Sequence, residues 1–167
     1  MIQLRKIDGD NIEEVISLEV EENQKEFLET TNLRSFADAH AMNSDGTPAN
    51  PLAIYVDDVL IGFVMYVYDI LDHETFENMY FYEKKSYFIS HFMIGKDFQG
   101  KGYGKESFAE TLRNIETMPY GEAEYIVLFY NINNVKAKTL YSSFSFTETG
   151  IIMDNSMLAI KNLDLKI

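Results

Sequence analysis

An α/β sheet of mixed direction is the fold class this sequence predicts, and three observations carry the prediction. The element order reads strand, two or three helices, three strands, helix, strand, helix, two strands. The run Tyr125-Ile126-Val127-Leu128-Phe129-Tyr130 is apolar without alternation, as a strand buried on both faces must be. An apolar strand-like run, Tyr87–Ile94, leads into Gln99-Gly100-Lys101-Gly102-Tyr103-Gly104-Lys105, and that loop opens a helical pattern.

Taken in order, Met1–Ile7 reads as a short first strand with Ile2 and Leu4 inward. Asp10 is placed to cap a helix, with Glu13 three residues on completing a capping box and Ile12, Val15 and Ile16 forming the apolar face. Helical stretches follow at Glu21–Leu28 and Leu33–Met42. Asn43 to Pro51 is turn chemistry throughout. Leu52–Val56 and Leu60–Tyr68 form a hairpin around Asp57-Asp58, and Gly62 marks a bulge or a close backbone approach. Asp69 to Lys85 is polar and rich in aromatics; it reads as a loop, with or without a helical turn, lying over an acceptor site. Helix Tyr103–Met118 sets Phe108, Leu112 and Ile115 on one face and stops at Pro119-Tyr120-Gly121. Asn133 or Asn134 caps the next helix, with Ala137, Leu140, Tyr141 and Phe144 at i, i+3, i+4 and i+7. Phe146–Met153 and Ser156–Leu163 close the chain as a hairpin around Asp154-Asn155.

Length and composition bound the function. A chain of 167 residues with 46% hydrophobic content makes one domain with an ample core. There is no cysteine, so disulfides, thiolate catalysis and cysteine metal sites are excluded. The histidines His40, His73 and His91 have no metal-ligand spacing, so no metal is expected. No apolar run reaches the length of a membrane span, and Met1–Lys6 lacks a signal peptide's apolar stretch; a cytoplasmic protein without membrane partners is expected. The net charge of −13 is unevenly placed: residues 1–90 hold 18 Asp+Glu against 6 Lys+Arg, and residues 91–167 hold 9 against 8. That surface disfavours nucleic acid and favours a small cationic ligand, although acidity also serves solubility alone.

A strand, a glycine-rich turn and a helix start together hold phosphate. Glycine lets backbone approach a ligand closely, and the first helical turn presents unpaired N–H groups at the positive end of the dipole. The spacing Gly100, Gly102, Gly104 is not the dinucleotide fingerprint, and Glu106 after Lys105 rules out the P-loop. Gln99, Gly102 and Gly104 fit Q/R-x-x-G-x-G/A, and Asn134-Val135-Lys136-Ala137-Lys138-Thr139-Leu140-Tyr141 fits N-x-x-A-x-x-L-Y. Both resemble the motifs of the GNAT family of N-acetyltransferases. Upstream, Asn23–Phe27, Asn32–Ala39, Gly62–Asp69 and Phe92–Ile94 look like the BltD-like spermine/spermidine acetyltransferases of Gram-positive bacteria, and the likeness runs from about residue 1 to 163.

The resemblance implies a single-domain, twisted, mostly antiparallel sheet of about seven strands flanked by helices. Residues 1–86 would be the acceptor half and 87–167 the acetyl-CoA half. It implies transfer of an acetyl group from acetyl-CoA to a primary amine, foremost a polyamine such as spermidine or spermine, and a homodimer. Aminoglycoside, amino-acid and protein amines stay open as acceptors, as does a non-catalytic coenzyme-binding sensor. It implies coenzyme contacts from Phe92, Met93, Ile94, Gln99, Gly100, Lys101, Gly102, Tyr103, Gly104, Lys105, Asn134, Ala137 and Tyr141, with Tyr141 as general acid. His91, beside the reaction centre, is a candidate proton relay. Glu19, Glu22, Asp69 and Tyr87 are candidate acceptor-binding residues, and Tyr80, Phe81, Tyr82, Tyr87 and Phe88 form either core or an amine channel by cation–π contact. Three departures from the group stand out: His91 where arginine is usual, Ser145-Phe146 where Gly-Phe is usual, and Asp154-Asn155-Ser156 in place of an acidic Gly-Glu pair.

Overall fold

A computed structural model describes residues 1–28 and 30–163. Seven strands form one sheet in the order β1-β2-β3-β4-β5-β7-β6. They are β1 Ile2–Lys6, β2 Ala49–Val56, β3 Val59–Ile70, β4 Lys85–Ile94, β5 Tyr125–Asn131, β6 Thr147–Met153 and β7 Ser156–Asn162. The helices are α1 Ile12–Ser17, α2 Asn32–Ser44, α3 Tyr103–Glu116 and α4 Val135–Ser143. All pairings are antiparallel except β4 with β5. This is the mixed, mostly antiparallel arrangement that the element order implies.

Helix α3 supplies Phe108, Leu112 and Ile115 to a cluster with Ile54, Ile61, Ile126 and Leu128 on one face of the sheet. Val15 of α1 and Ala39 of α2 join Phe63, Met65 and Met93 in a second cluster. The two hairpins turn as their sequences ask: Asp57 and Asp58 have φ of 45° and 67°, Asp154 and Asn155 of 48° and 62°. Two left-handed residues in succession match the twist of the flanking strands.

Several boundaries differ from the sequence reading. Helix α1 starts after Asn11, with no side-chain cap, because the Asp8 carboxylate accepts from the Asp10 N–H and the Asn11 side chain bonds back to Asp8 and Lys6. The expected capping box at Asp10 and Glu13 is therefore absent. The stretch after α1 is a 3-10 segment, Glu22–Phe27. The segment between β3 and β4, expected as a loop over an acceptor site, contributes no residue to the lining of the cleft between β4 and β5. Its Leu71, Phe76 and Phe81 pack on Val127, Leu158 and Ile160 as a third cluster, which closes one face of the β5–β7 end of the sheet.

The Ser145-Phe146 departure leaves the turn after α4 intact. Ser145 adopts φ +68°, the conformation a glycine would take there. The Phe146 N–H donates to the Tyr141 carbonyl (3.1 Å) and the Ser145 N–H to that of Ser142 (3.0 Å), a Schellman termination. A left-handed L-residue costs about 1–2 kcal/mol. Ser145→Gly should therefore stabilise the fold by about 1 kcal/mol; a denaturation midpoint that stays put or falls would show that the serine side chain offsets its own strain.

Two irregularities shape the centre of the sheet. At Gly62 the backbone of β3 lies so close to β4 that a Cβ would stand 2.5 Å from the Met93 carbonyl oxygen. The β3–β4 register then shifts between Met65 and Tyr66, with His91 opposite Met65 and Ile89 opposite Tyr66, so that Ser90 is the bulged residue. The parallel ladder between β4 and β5 runs only from Ser86↔Tyr125 to Ile89↔Leu128. Beyond it the two strands part.

Candidate active site

A cleft of about 1070 Å³ occupies the gap where β4 and β5 separate. Its floor is β4 from Phe88 to Ile94, with Phe129, Tyr130 and Asn131 of β5 opposite. Gln99, Gly100 and Gly104 close one end; Asn134, Lys136, Ala137, Leu140 and Tyr141 form the α4 side; the 3-10 segment and α2 form the other wall. The two motif regions, around the glycine loop and at the start of α4 and far apart in the chain, thus meet in one cavity.

The glycine loop is built for an anion. Gly100 and Gly102 have φ of +75° and +86°, and no side chain caps α3. The N–H groups of its first turn therefore face outward unpaired by any cap. A Cβ placed at Gly100 or Gly102 would meet nothing within 4 Å, and one at Gly104 only Ile94 Cγ1 at 3.9 Å. The approach to these amides is open to an anion such as a pyrophosphate, so the residues present are compatible with acetyl-CoA. The side chain of Gln99 holds the loop in place: its Nε2 donates to the Ile94 carbonyl (2.8 Å), and Gln99 and Gln24 exchange amide hydrogen bonds at 2.8 and 2.9 Å. Asn134 accepts from the Ala137 N–H (3.1 Å) as the cap of α4.

Lys101 and Lys105 do not line the cleft. Lys101 bends back to the Asp97 carbonyl (3.2 Å) and stands over the Phe98 ring. The lysine that does line it is Lys136, one of two in the second motif and indistinguishable from Lys138 in sequence. Tyr103 packs against the main core while Phe92, Met93 and Ile94 form the cleft floor.

Tyr141 reaches the cleft from α4, its ring 5.0 Å from that of Phe108 and 5.9 Å from that of Tyr130. Burial pushes its hydroxyl up to about 12, so it carries its proton throughout the neutral range. His91 sits on the floor, next to the bulge. Its Nδ1 lies 3.4 Å from Ser35 Oγ of α2, and its buried Nε2 has no partner among the described residues. Desolvation lowers its pKa to about 4, so the imidazole is neutral at pH 7.

That shift links His91 to stability. Between pH 6.5 and about 4 the unfolded chain binds a proton that the folded chain refuses, so stability falls as pH drops through this window, by on the order of 3 kcal/mol in full. His91→Gln should lose less stability than wild type between pH 7.5 and pH 5. Equal acid sensitivity in urea titrations at the two pH values would mean that the histidine is protonated in the fold.

The acidic candidates lie elsewhere. Glu19 is tied to the coenzyme-loop side, with Lys96 Nζ at 3.4 Å, and Glu22 pairs with Lys25 at 2.7 Å; both are exposed and outside the cleft lining. Asp69 is at the far end of β3, where its carboxylate accepts from the Ile70 N–H. Tyr87 is a core residue, fully buried, whose hydroxyl donates to the Gly121 carbonyl (2.8 Å) and accepts from the Tyr120 N–H. Its ring therefore braces the turn after α3 and cannot meet an acceptor. Of the aromatic cluster only Phe88 lines the cleft. The wall on α2 instead presents Arg34, Ser35, Asp38 and Met42, none of which the charge pattern singles out.

A sequence model of the Acetyltransferase (GNAT) family matches residues 12–146. A probable spermine N(1)-acetyltransferase of Bacillus subtilis subsp. natto is 25% identical over 152 residues, covering 89% of this chain and 90% of that protein. Among solved structures, the fold is similar to that of spermidine N-acetyltransferase from Vibrio cholerae in complex with CoA and spermine, with a TM-score of 0.68 at 15% identity over 97% of this chain and 95% of that one. It is similar also to aminoglycoside N(6')-acetyltransferase from Legionella pneumophila, with a TM-score of 0.67 at 13% identity over 98% and 92%. Among the described residues no helix is long and apolar enough to cross a membrane. With the family pattern spanning most of the chain and its two motifs facing each other across the split sheet, the chain belongs to the GNAT family and is an acetyl-CoA-dependent N-acetyltransferase.

Proposed function

We propose that the acceptor is a polyamine such as spermidine or spermine, acetylated at a primary amine. The observation that carries this reading is the continuity of the cleft from the glycine loop to a carboxylate-bearing wall on α2. The family membership, the relative named for spermine and the acidic balance of residues 1–90 support it.

The fold supplies four things to the reaction. The cleft holds amine and thioester side by side, which lowers the entropic cost of encounter. Past Ile89 the backbone of β4 has no strand on its β5 side, so N–H groups there can stabilise charge building on the acetyl oxygen. The amine nitrogen bonds to the acetyl carbon as the carbon–sulfur bond breaks. The Tyr141 hydroxyl gives its proton to the departing sulfur, and the proton shed by the nitrogen restores it. His91, neutral with a free Nε2, relays that proton without keeping it.

An acceptor screen tests the proposal: thiol release from acetyl-CoA is followed with spermidine, spermine, an aminoglycoside and a lysine peptide. Polyamines should give the highest kcat/KM. A clear preference for the aminoglycoside or the peptide would reassign the acceptor and leave the acetyltransferase in place.

A further inference from the structure

Within the described cleft lining there is a single carboxylate, Asp38. It stands on the stripe of α2 that faces the cavity, with Arg34, Ser35 and Met42. The stripe has a fixed relation to the reaction centre, because Ser35 lies against His91 Nδ1 at 3.4 Å. Asp38 is three residues on, about 5 Å further along the helix at 1.5 Å per residue. The same cavity is lined by Met42, Met65, Phe88 and Phe129, an apolar surface suited to methylene groups and poor for a hydrated sugar. Arg34 Nε donates to Asp38 Oδ1 (2.9 Å), which orients the carboxylate and leaves Oδ2 for another donor.

Resting on the amine-acetyltransferase reading, we propose that Asp38 is a specificity-determining residue that receives a second ammonium of the acceptor, one short alkyl spacer away from the nitrogen that is acetylated. The acceptor class is then an alkyl amine with at least two ammonium groups. Recognition comes from one oriented carboxylate and an apolar wall. The exposed acidic residues elsewhere on residues 1–90 serve at most to steer cations from a distance.

The test compares spermidine, putrescine and butylamine as acceptors for wild type and Asp38→Asn, by thiol release at saturating acetyl-CoA. The variant should raise KM for spermidine and putrescine by about 10–100-fold, the loss expected for one charge-assisted hydrogen bond. Its kcat/KM for butylamine should stay within about twofold of wild type. An unchanged thermal midpoint and unchanged coenzyme affinity would show that the fold is intact. Asp38→Glu should recover part of the diamine preference. An equal effect on all three amines, no effect on any, or a wild type that prefers butylamine to putrescine would overturn the role of Asp38 while leaving the acetyltransferase standing. A wild type that acetylates none of the three nor any other amine would overturn the amine-acetyltransferase reading itself, and this assignment with it.

Discussion

Tyr141→Phe should lower kcat by roughly 10–1000-fold, about the range for loss of a general acid, while affinity for the coenzyme barely moves. The substitution removes one oxygen and keeps the ring that packs on Phe108 and Tyr130, so the wall of the cleft survives. Burial already holds this hydroxyl at about 12. It is therefore protonated in every resting enzyme molecule at neutral pH, and no alkaline fall in kcat below about pH 11 should trace to it. Steady-state kinetics on the two proteins decide the matter. A variant with wild-type kcat would return Tyr141 to a packing role, and an alkaline limb near pH 9 that disappears in the variant would mean that the hydroxyl is better solvated than its surroundings indicate.

Gly104→Val should weaken coenzyme binding by about 100-fold, the equivalent of one or two charge-assisted hydrogen bonds to the pyrophosphate. The choice of glycine matters. At Gly102 a valine would meet a φ of +86°, and lost affinity could come from a distorted loop. At Gly104 the backbone is helical, and a Cβ finds only Ile94 Cγ1 at 3.9 Å. The protein has room for a Cβ there, whereas a pyrophosphate held on these amides would meet the branched side chain. Calorimetry with CoA, beside a melting curve that stays near wild type, isolates the effect. Unchanged affinity would reduce residues 99–105 to a tight turn.

The glycine loop and the α4 side of the cleft were largely legible because their signals are local. Glycine at close spacing, an asparagine cap and a helical apolar stripe report on neighbouring residues, and Gly102, Gly104, Asn134 and Tyr141 all lie where such signals place them. The α2 wall of the cleft was not legible, for the opposite reason. Charge gives a sign and no address: Glu19, Glu22 and Asp69 share the acidity of residues 1–90 but face solvent. Asp38 looks like one more surface acid in an i,i+4 pair with Arg34 until α2 is laid across β4. Tyr87 misled because an aromatic at the start of an apolar strand can serve core or channel, and its bond to the turn at Gly121 decides between them. The split between β4 and β5 is a property of register, set where Ser86 pairs with Tyr125 and the ladder stops at Ile89 and Leu128, residues far apart in the chain.

The paired amides of Gln24 and Gln99 bear on how such an enzyme changes its substrate. One belongs to the 3-10 segment that walls the cleft and the other to the glycine loop, 75 residues away in sequence. The two walls are thus not separable modules. Replacing the segment from Glu22 to Ser44 with that of a relative imports a new partner for Gln99, and an aliphatic residue at position 24 would leave the Gln99 carbonyl oxygen without its present donor beside the coenzyme. Acceptor swaps that keep a glutamine at position 24 should preserve turnover with the new amine. Those that lose it should need a compensating change at position 99, so the two positions are best varied as a pair in any library built to redirect this fold.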